Sequence, residues 1–252
     1  RSCCSSERHP PSSHGRDTVT FGPVGGWIPH VLYTHLVLQD YLAARLPEKL
    51  VVSPEDRTRL AWQDFRAFDA GQITPSPTGA NFTPRWPYSS SYQIVPASYS
   101  PDAKRVSQNV DTIIQAASHS TFTTSGANAN DSFGRRLMSD VSFMSSKVQM
   151  HDDQDRYSGK TPTYFMFDRA KINVLMFDQS VAPRVSADIN PGFRPEAPTG
   201  NFWTSITYTP DVWEANYDGG QTYTLKGKCR WTRGGLKGND FGGSEFKTSS
   251  WN

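Results

Sequence analysis

Proline and glycine interrupt this chain so often that few long elements can survive between them: 18 prolines and 19 glycines stand among 252 residues. Proline lacks a backbone donor and clashes with the preceding helical turn, while glycine loses the most conformational entropy when fixed in a helix or strand. The interruptions favour strands, turns and extended connections over a helical bundle, so more strand than helix is expected. The core must then come largely from large side chains, because hydrophobic residues make up only 36% of the chain while Trp, Tyr and Phe number 7, 10 and 14. The length suits one large domain or two small ones. Neither an internal repeat nor a dividing linker is evident, so the expected organisation is a connecting segment over 1–26 and a single domain over 27–252.

Periodicity places the elements. From Trp27 to Leu46 the apolar positions Ile28, Val31, Leu32, Leu36, Leu42 and Leu46 recur at helical spacing, with Pro29 suited to a first turn and Pro47 ending the run. A short buried strand is expected at Leu50-Val51-Val52, a helical piece over Arg57 to Phe68, and a long irregular excursion over Gly71 to Pro87. Tyr88 to Val95 alternates as a half-buried strand does, Asn109 to Ala117 has a mixed pattern, and Thr121 to Thr124 reads as a strand. Lys147 to Met150, Thr163 to Phe167 and Ile172 to Phe177 predict an antiparallel meander. Asn173 to Val181 has the form of a hairpin, an apolar strand running into the acidic turn Asp178-Gln179-Ser180 and out again. Further strands are expected at Thr204 to Tyr208, Gln221 to Leu225 and Lys228 to Thr232. The fold class is therefore α+β, the helix of 27–46 packed on an antiparallel sheet with long loops.

Charge argues against polyanion binding. With 26 basic and 24 acidic residues spread along the chain, no strong field attracts nucleic acid or an anionic membrane. The basic, aromatic stretch around Lys226, Lys228, Arg230 and Trp231 is simpler as lysines that guard strand edges. Cys3 and Cys4 are adjacent, a strained arrangement for a mutual bridge, so a relaxed internal disulfide, if one forms, would join Cys3 or Cys4 to Cys229, and the cysteines do not decide the redox compartment. No apolar run approaches the roughly 20 residues of a membrane-spanning helix.

No catalytic constellation stands out. His30 and His35 are five apart, off one helix face, and His119 beside Ser118 and Ser120 lacks a nucleophile-elbow pattern. A hydrolase would need His119 or His151 in a pocket with a nucleophile. Glu55 and Asp56 fit a turn and a helix cap. Asp152, Asp153 and Asp155 form the densest acidic group and are the candidate calcium ligands, although the EF-hand glycine and closing glutamate are absent. Trp86, Tyr88, Trp213 and Tyr217 are the candidate contacts for a partner or a glycan, because exposed aromatics stack on sugars or fill a partner's pocket. Asn81-Phe-Thr83 and Asn130-Asp-Ser132 match the N-glycosylation pattern.

Several short motifs resemble the secreted prepilin-like proteins related to type II secretion pseudopilins. Leu50-Val-Val leads into Ser53-Pro54-Glu55-Asp56 where that group has an apolar strand leading into Cys-Pro-Ser-Asp. Ser90-Ser91-Tyr92, Ser145-Ser146-Lys147-Val148 running to Asp152, and the ending Arg230 to Gly243 are similar to stretches of the group. The strand ending at Asp178 is similar to the one that carries Asp-Gly-His-Val. Gln179 stands in place of the glycine, and Asp168 stands where a histidine is found in the group, so that histidine's role is not carried over. The resemblance implies the globular head of a non-enzymatic filament or pseudopilus subunit at the cell surface or outside the cell. Such a subunit acts by self-association and meets the membrane only through a hydrophobic N-terminal helix that is not in this sequence. Calcium is familiar in pseudopilin heads. The alternative is a carbohydrate-binding or adhesive module on the same fold.

Overall fold

The computed structural model describes residues 33, 35, 47–75, 83–98, 112–115, 122–125, 137–191, 205–229 and 235–242. The expected helix of 27–46 lies outside the described residues except for Tyr33 and His35, as do Cys3, Cys4, His119, Trp203, Trp231 and the glycosylation asparagines Asn81 and Asn130. Among the described residues the fold is mixed, with two short helices and antiparallel sheets, in keeping with an α+β class.

Helices α1 (Arg57–Trp62) and α2 (Phe65–Asp69) occupy the stretch expected as one helical piece. The break falls at Asp64, whose carboxylate accepts the Ala67 N–H at 3.2 Å and so starts a second helix before the first can continue. The strands are β1 (Tyr92–Ile94), β2 (Thr112–Gln115), β3 (Phe122–Ser125), β4 (Val148–Asp152), β5 (Gln154–Asp155), β6 (Thr163–Tyr164), β7 (Lys171–Met176), β8 (Val181–Val185), β9 (Ser205–Tyr208) and β10 (Tyr223–Lys226). The main sheet is antiparallel in the order β1-β4-β7-β8, and β2/β3, β5/β6 and β9/β10 form separate antiparallel pairs.

Three sequence expectations are corrected. The strand expected over Tyr88 to Val95 is confined to Tyr92–Ile94, because Tyr88 ends a 3-10 helix that begins at Thr83. Leu50-Val51-Val52 is not a strand. A 3-10 turn runs over Lys49–Val51, held by the Glu48 carboxylate accepting the Leu50 N–H at 3.1 Å, and Leu50 is 75% exposed while Val51 and Val52 are buried. The predicted meander also fails at its middle strand. Thr163–Tyr164 pairs with β5 outside the main sheet, and tight turns closed by Phe167 N–H to Tyr164 C=O and Ala170 N–H to Phe167 C=O consume the rest of that apolar stretch. Of the strand expected over Lys228 to Thr232, Lys228 makes an isolated bridge to Pro191, and residues 230–232 lie outside the described ones.

The sheet has one core face. Ile172, Val174 and Met176 alternate inward along β7 and join Val148, Phe165, Met166, Ile189, Ile206, Tyr208 and Leu236 in the main core. A register shift between Val148 and Met150 leaves Gln149 and Met150 both half-buried before His151 turns inward again. The opposite face carries an apolar row across all four strands, because Ile94 faces Met150, Met150 faces Leu175 and Leu175 faces Val181. Buried Lys147 and Asp240 pair at 3.0 Å, and Asp240 also accepts the Val148 N–H at 2.8 Å, tying residues 235–242 to the start of β4.

Candidate functional site

The densest group of interacting charges is built around the start of α1. Asp56 is its N-cap, its Oδ1 accepting the Arg59 N–H at 3.1 Å. The other oxygen of Asp56 accepts from the Arg59 guanidinium, from Ser91 Oγ at 2.7 Å and from Arg156 Nη2 at 2.8 Å. Asp153 closes the ring. Its two oxygens lie 2.7 Å from Arg59 Nη2 and 2.7 Å from Arg156 Nη1, as ion pairs whose angles fall outside good hydrogen-bond geometry. Two arginines thus bridge two aspartates in alternation, and all four side chains are almost wholly buried.

Burial alone would raise the Asp56 carboxyl, but Arg59, Arg156 and the Ser91 hydroxyl outweigh it and hold Asp56 well below the usual carboxylate range. Burial likewise works against the Arg59 charge, and Asp153 and Asp56 overcome it. Rings of this kind add little net stability over a well-packed apolar substitute, yet removing one member costs about 3–5 kcal/mol because a buried charge is left without compensation.

An aromatic cluster joins the ring through α1. Arg59 and Trp62 are three residues apart and share a helix face. The Arg59 guanidinium sits 5.1 Å from the centre of the Trp213 ring. Trp62, Trp86 and Trp213 meet edge to face, with centroids 5.5, 5.2 and 5.1 Å apart around the triangle. Phe68 belongs to the same cluster, and Tyr33 and Ile73 pack against it. Trp62 donates its indole N–H to the Pro75 carbonyl at 3.1 Å. The ring and the cluster bind together residues 53–62, 86–91, 153–156 and 213–214, far apart in sequence.

Trp213 is 8% exposed and Trp86 half-buried, so the two loop tryptophans expected at the surface turn toward each other. Tyr88 is half-buried and packs its ring 5.5 Å from that of Phe65, and Tyr217 is 46% exposed. The three aspartates of the acidic run go to three different sets of partners. Asp152 Oδ2 accepts the Asn173 N–H at 2.9 Å and its side-chain amide at 3.0 Å, and burial pushes its carboxyl up to about 6 despite these donors. Asp153 faces the arginines. Asp155 accepts from the Tyr157, Ser158 and Lys171 amides at 3.2, 3.1 and 2.9 Å and from the Ser158 hydroxyl. These donors outweigh burial and hold its carboxyl low. Among the described residues no group of three or more His, Cys, Asp or Glu side chains could hold a metal ion. His151 is buried, with Nδ1 2.7 Å from the Asp152 carbonyl and its ring 4.3 Å from that of Phe165. Cys229 is buried in the main core. No helix among the described residues is long and apolar enough to cross a membrane.

Arg59, Arg156 and Glu214 escaped the sequence reading because a single charged residue in a short helix or loop looks like a solvated one. The available signal was Asp56 as a helix cap with arginine three positions later. No protein-family model, curated protein or solved structure matches this chain.

Proposed function

We propose that this chain is the globular head of a non-enzymatic structural subunit that self-assembles into a filament or pseudopilus at the cell surface or outside the cell. The observation that carries the proposal is the apolar row on the sheet face opposite the main core, which runs from buried Ile94 through half-buried Met150 and Leu175 to a 67% exposed Val181 beside the β7–β8 hairpin tip. Phe143 and Met144 are exposed next to that tip, where the Met144 carbonyl accepts the Asp178 N–H at 3.1 Å. An apolar face of this kind is what a subunit offers to its own copies. The resemblance of the hairpin sequence to prepilin-like proteins supports the same assignment.

Open-edge pairing is not the proposed mode of contact. The Lys171 and Asn173 amides donate to Asp155 and Asp152, away from β8, so the opposed Val181, Pro183 and Val185 turn their main-chain groups to the free edge. Pro183 removes the middle donor of that row, a device that blunts strand addition. Contacts are therefore assigned to the sheet face and the hairpin tip. Calcium is not needed by this proposal, since Asp152, Asp153 and Asp155 already serve protein donors. Glycan binding is less favoured with Trp86 and Trp213 turned inward.

The test is sedimentation of the assembled material and of a Phe143→Asp, Val181→Asp variant that keeps the circular dichroism of the parent. The proposal expects polymer in the parent and its loss in the variant. Equal sedimentation of both, or a monomer throughout, would overturn it.

A further inference from the structure

Residues 209–221 turn back over α1 and β5, and two neighbouring side chains fix them there. Trp213 enters the tryptophan cluster, and Glu214 is buried beside it. Glu214 Oε1 accepts from Gln154 Nε2 at 3.3 Å and Oε2 accepts the Asp211 N–H at 2.8 Å. The charged and titratable groups around it come from every packed element: Arg59 from α1, Asp153 from the β4–β5 junction, Asp211 from its own segment and Tyr208 from the end of β9. The two guanidiniums of the ring already face two carboxylates, so an ionised Glu214 adds a further negative charge to a place closed to water.

We propose that Glu214 is a proton-operated latch: with its carboxyl protonated, residues 209–221 lie against α1 and β5, and loss of that proton to water releases them. Burial is the chief cause that pushes this carboxyl up to about 8. The Asp211 N–H and Arg59 oppose the rise, and the Asp211 and Asp153 carboxylates add to it. The hold on the segment therefore weakens as pH climbs towards about 8. Release withdraws Trp213 from Trp62 and Trp86 and uncovers both. The latch stands whether or not the chain assembles into a filament.

Hydrogen exchange on the full chain, corrected for intrinsic rates, tests it at about pH 6.5 and about pH 9. The amides to follow are those of Glu214 and Tyr217, whose hydrogens close the turns to the Asp211 and Glu214 carbonyls at 2.9 and 3.0 Å. Their protection should fall about thirtyfold relative to β4 and β7 in the parent protein, because opening gains about tenfold for each pH unit up to the folded value and is level beyond it. In Glu214→Gln it should change less than about twofold, since the Gln154 amide can flip to meet the new side chain. Equal protection at both pH values in the parent, or the same fall in the variant, would overturn the latch. Should Glu214→Gln not fold, tryptophan emission of the parent against pH decides: a change centred at or below about pH 8 supports the latch, and a flat curve overturns it.

Discussion

Gln179 shows most plainly how one side chain can stand against its backbone. The Gln179 N–H closes a turn to the Met176 carbonyl at 3.0 Å, and the Met176 N–H pairs with the Ser180 carbonyl at 2.9 Å. These bonds leave a three-residue hairpin loop whose last position takes φ +70°. Glycine is favoured there, and a residue with a Cβ costs roughly 1–2 kcal/mol. Gln179→Gly should raise stability by about 0.5–1 kcal/mol after the extra freedom of glycine in the unfolded chain is subtracted, read as a higher urea midpoint. Asp178 explains why the turn still forms: its carboxylate accepts both the Ser180 N–H at 2.9 Å and the Ser180 hydroxyl at 2.6 Å. In the buried ring the expectation has the opposite sign. Asp153→Asn should cost about 3–5 kcal/mol, and adding Arg156→Met to it should cost far less than the sum of the two single changes, because the second change removes a charge the first left stranded.

Among the elements, the β7–β8 hairpin was legible in the sequence because its inward positions alternate and its turn holds Asp and Ser. The run at Leu50 misled because three apolar residues between prolines fit a buried strand and a turn equally, and the Glu48 carboxylate decided for the turn. Thr163 to Phe167 misled for a related reason, since its aromatics are buried by turns and not by a ladder. The charge ring was illegible because its two halves lie on segments that only tertiary packing brings together, and the spacing of three in Asp56–Arg59 and in Asp153–Arg156 was its local trace. The tryptophans were visible as a group, but an aromatic in a loop does not announce which way it points. Trp213→Ala should cost about 3–5 kcal/mol, the range for emptying a large buried aromatic site, and should shift the emission of the remaining cluster. At the sheet edge, Pro183→Thr restores the missing outward donor and should increase aggregation on incubation, measured by light scattering at unchanged folding midpoint.

For the molecule as a whole, the buried carboxyls set how stability follows pH. Glu214 and Asp152 are both raised in the folded state, to about 8 and about 6, with burial as the main cause in each. A raised carboxyl stabilises the fold fully below its unfolded value, and that contribution is lost as pH climbs through the folded value. Stability should therefore decline between about pH 4 and pH 8, by about 1 kcal/mol per pH unit in the upper half of that range, where Glu214 alone still binds its proton. Asp56, held low by its arginines against burial, gives the opposite limb: its contribution is present above the unfolded value and is lost as strong acid protonates it. The maximum is expected in mildly acidic solution, and Glu214→Gln should flatten the decline above about pH 6 in chemical denaturation midpoints. The same molecule offers copies of itself a hairpin tip where Val181, Phe143 and Met144 are exposed, beside a strand edge blunted by proline. Electron microscopy of the native material tests that assembly: regular filaments or lattices are the predicted result, and dispersed single particles at every concentration would contradict it.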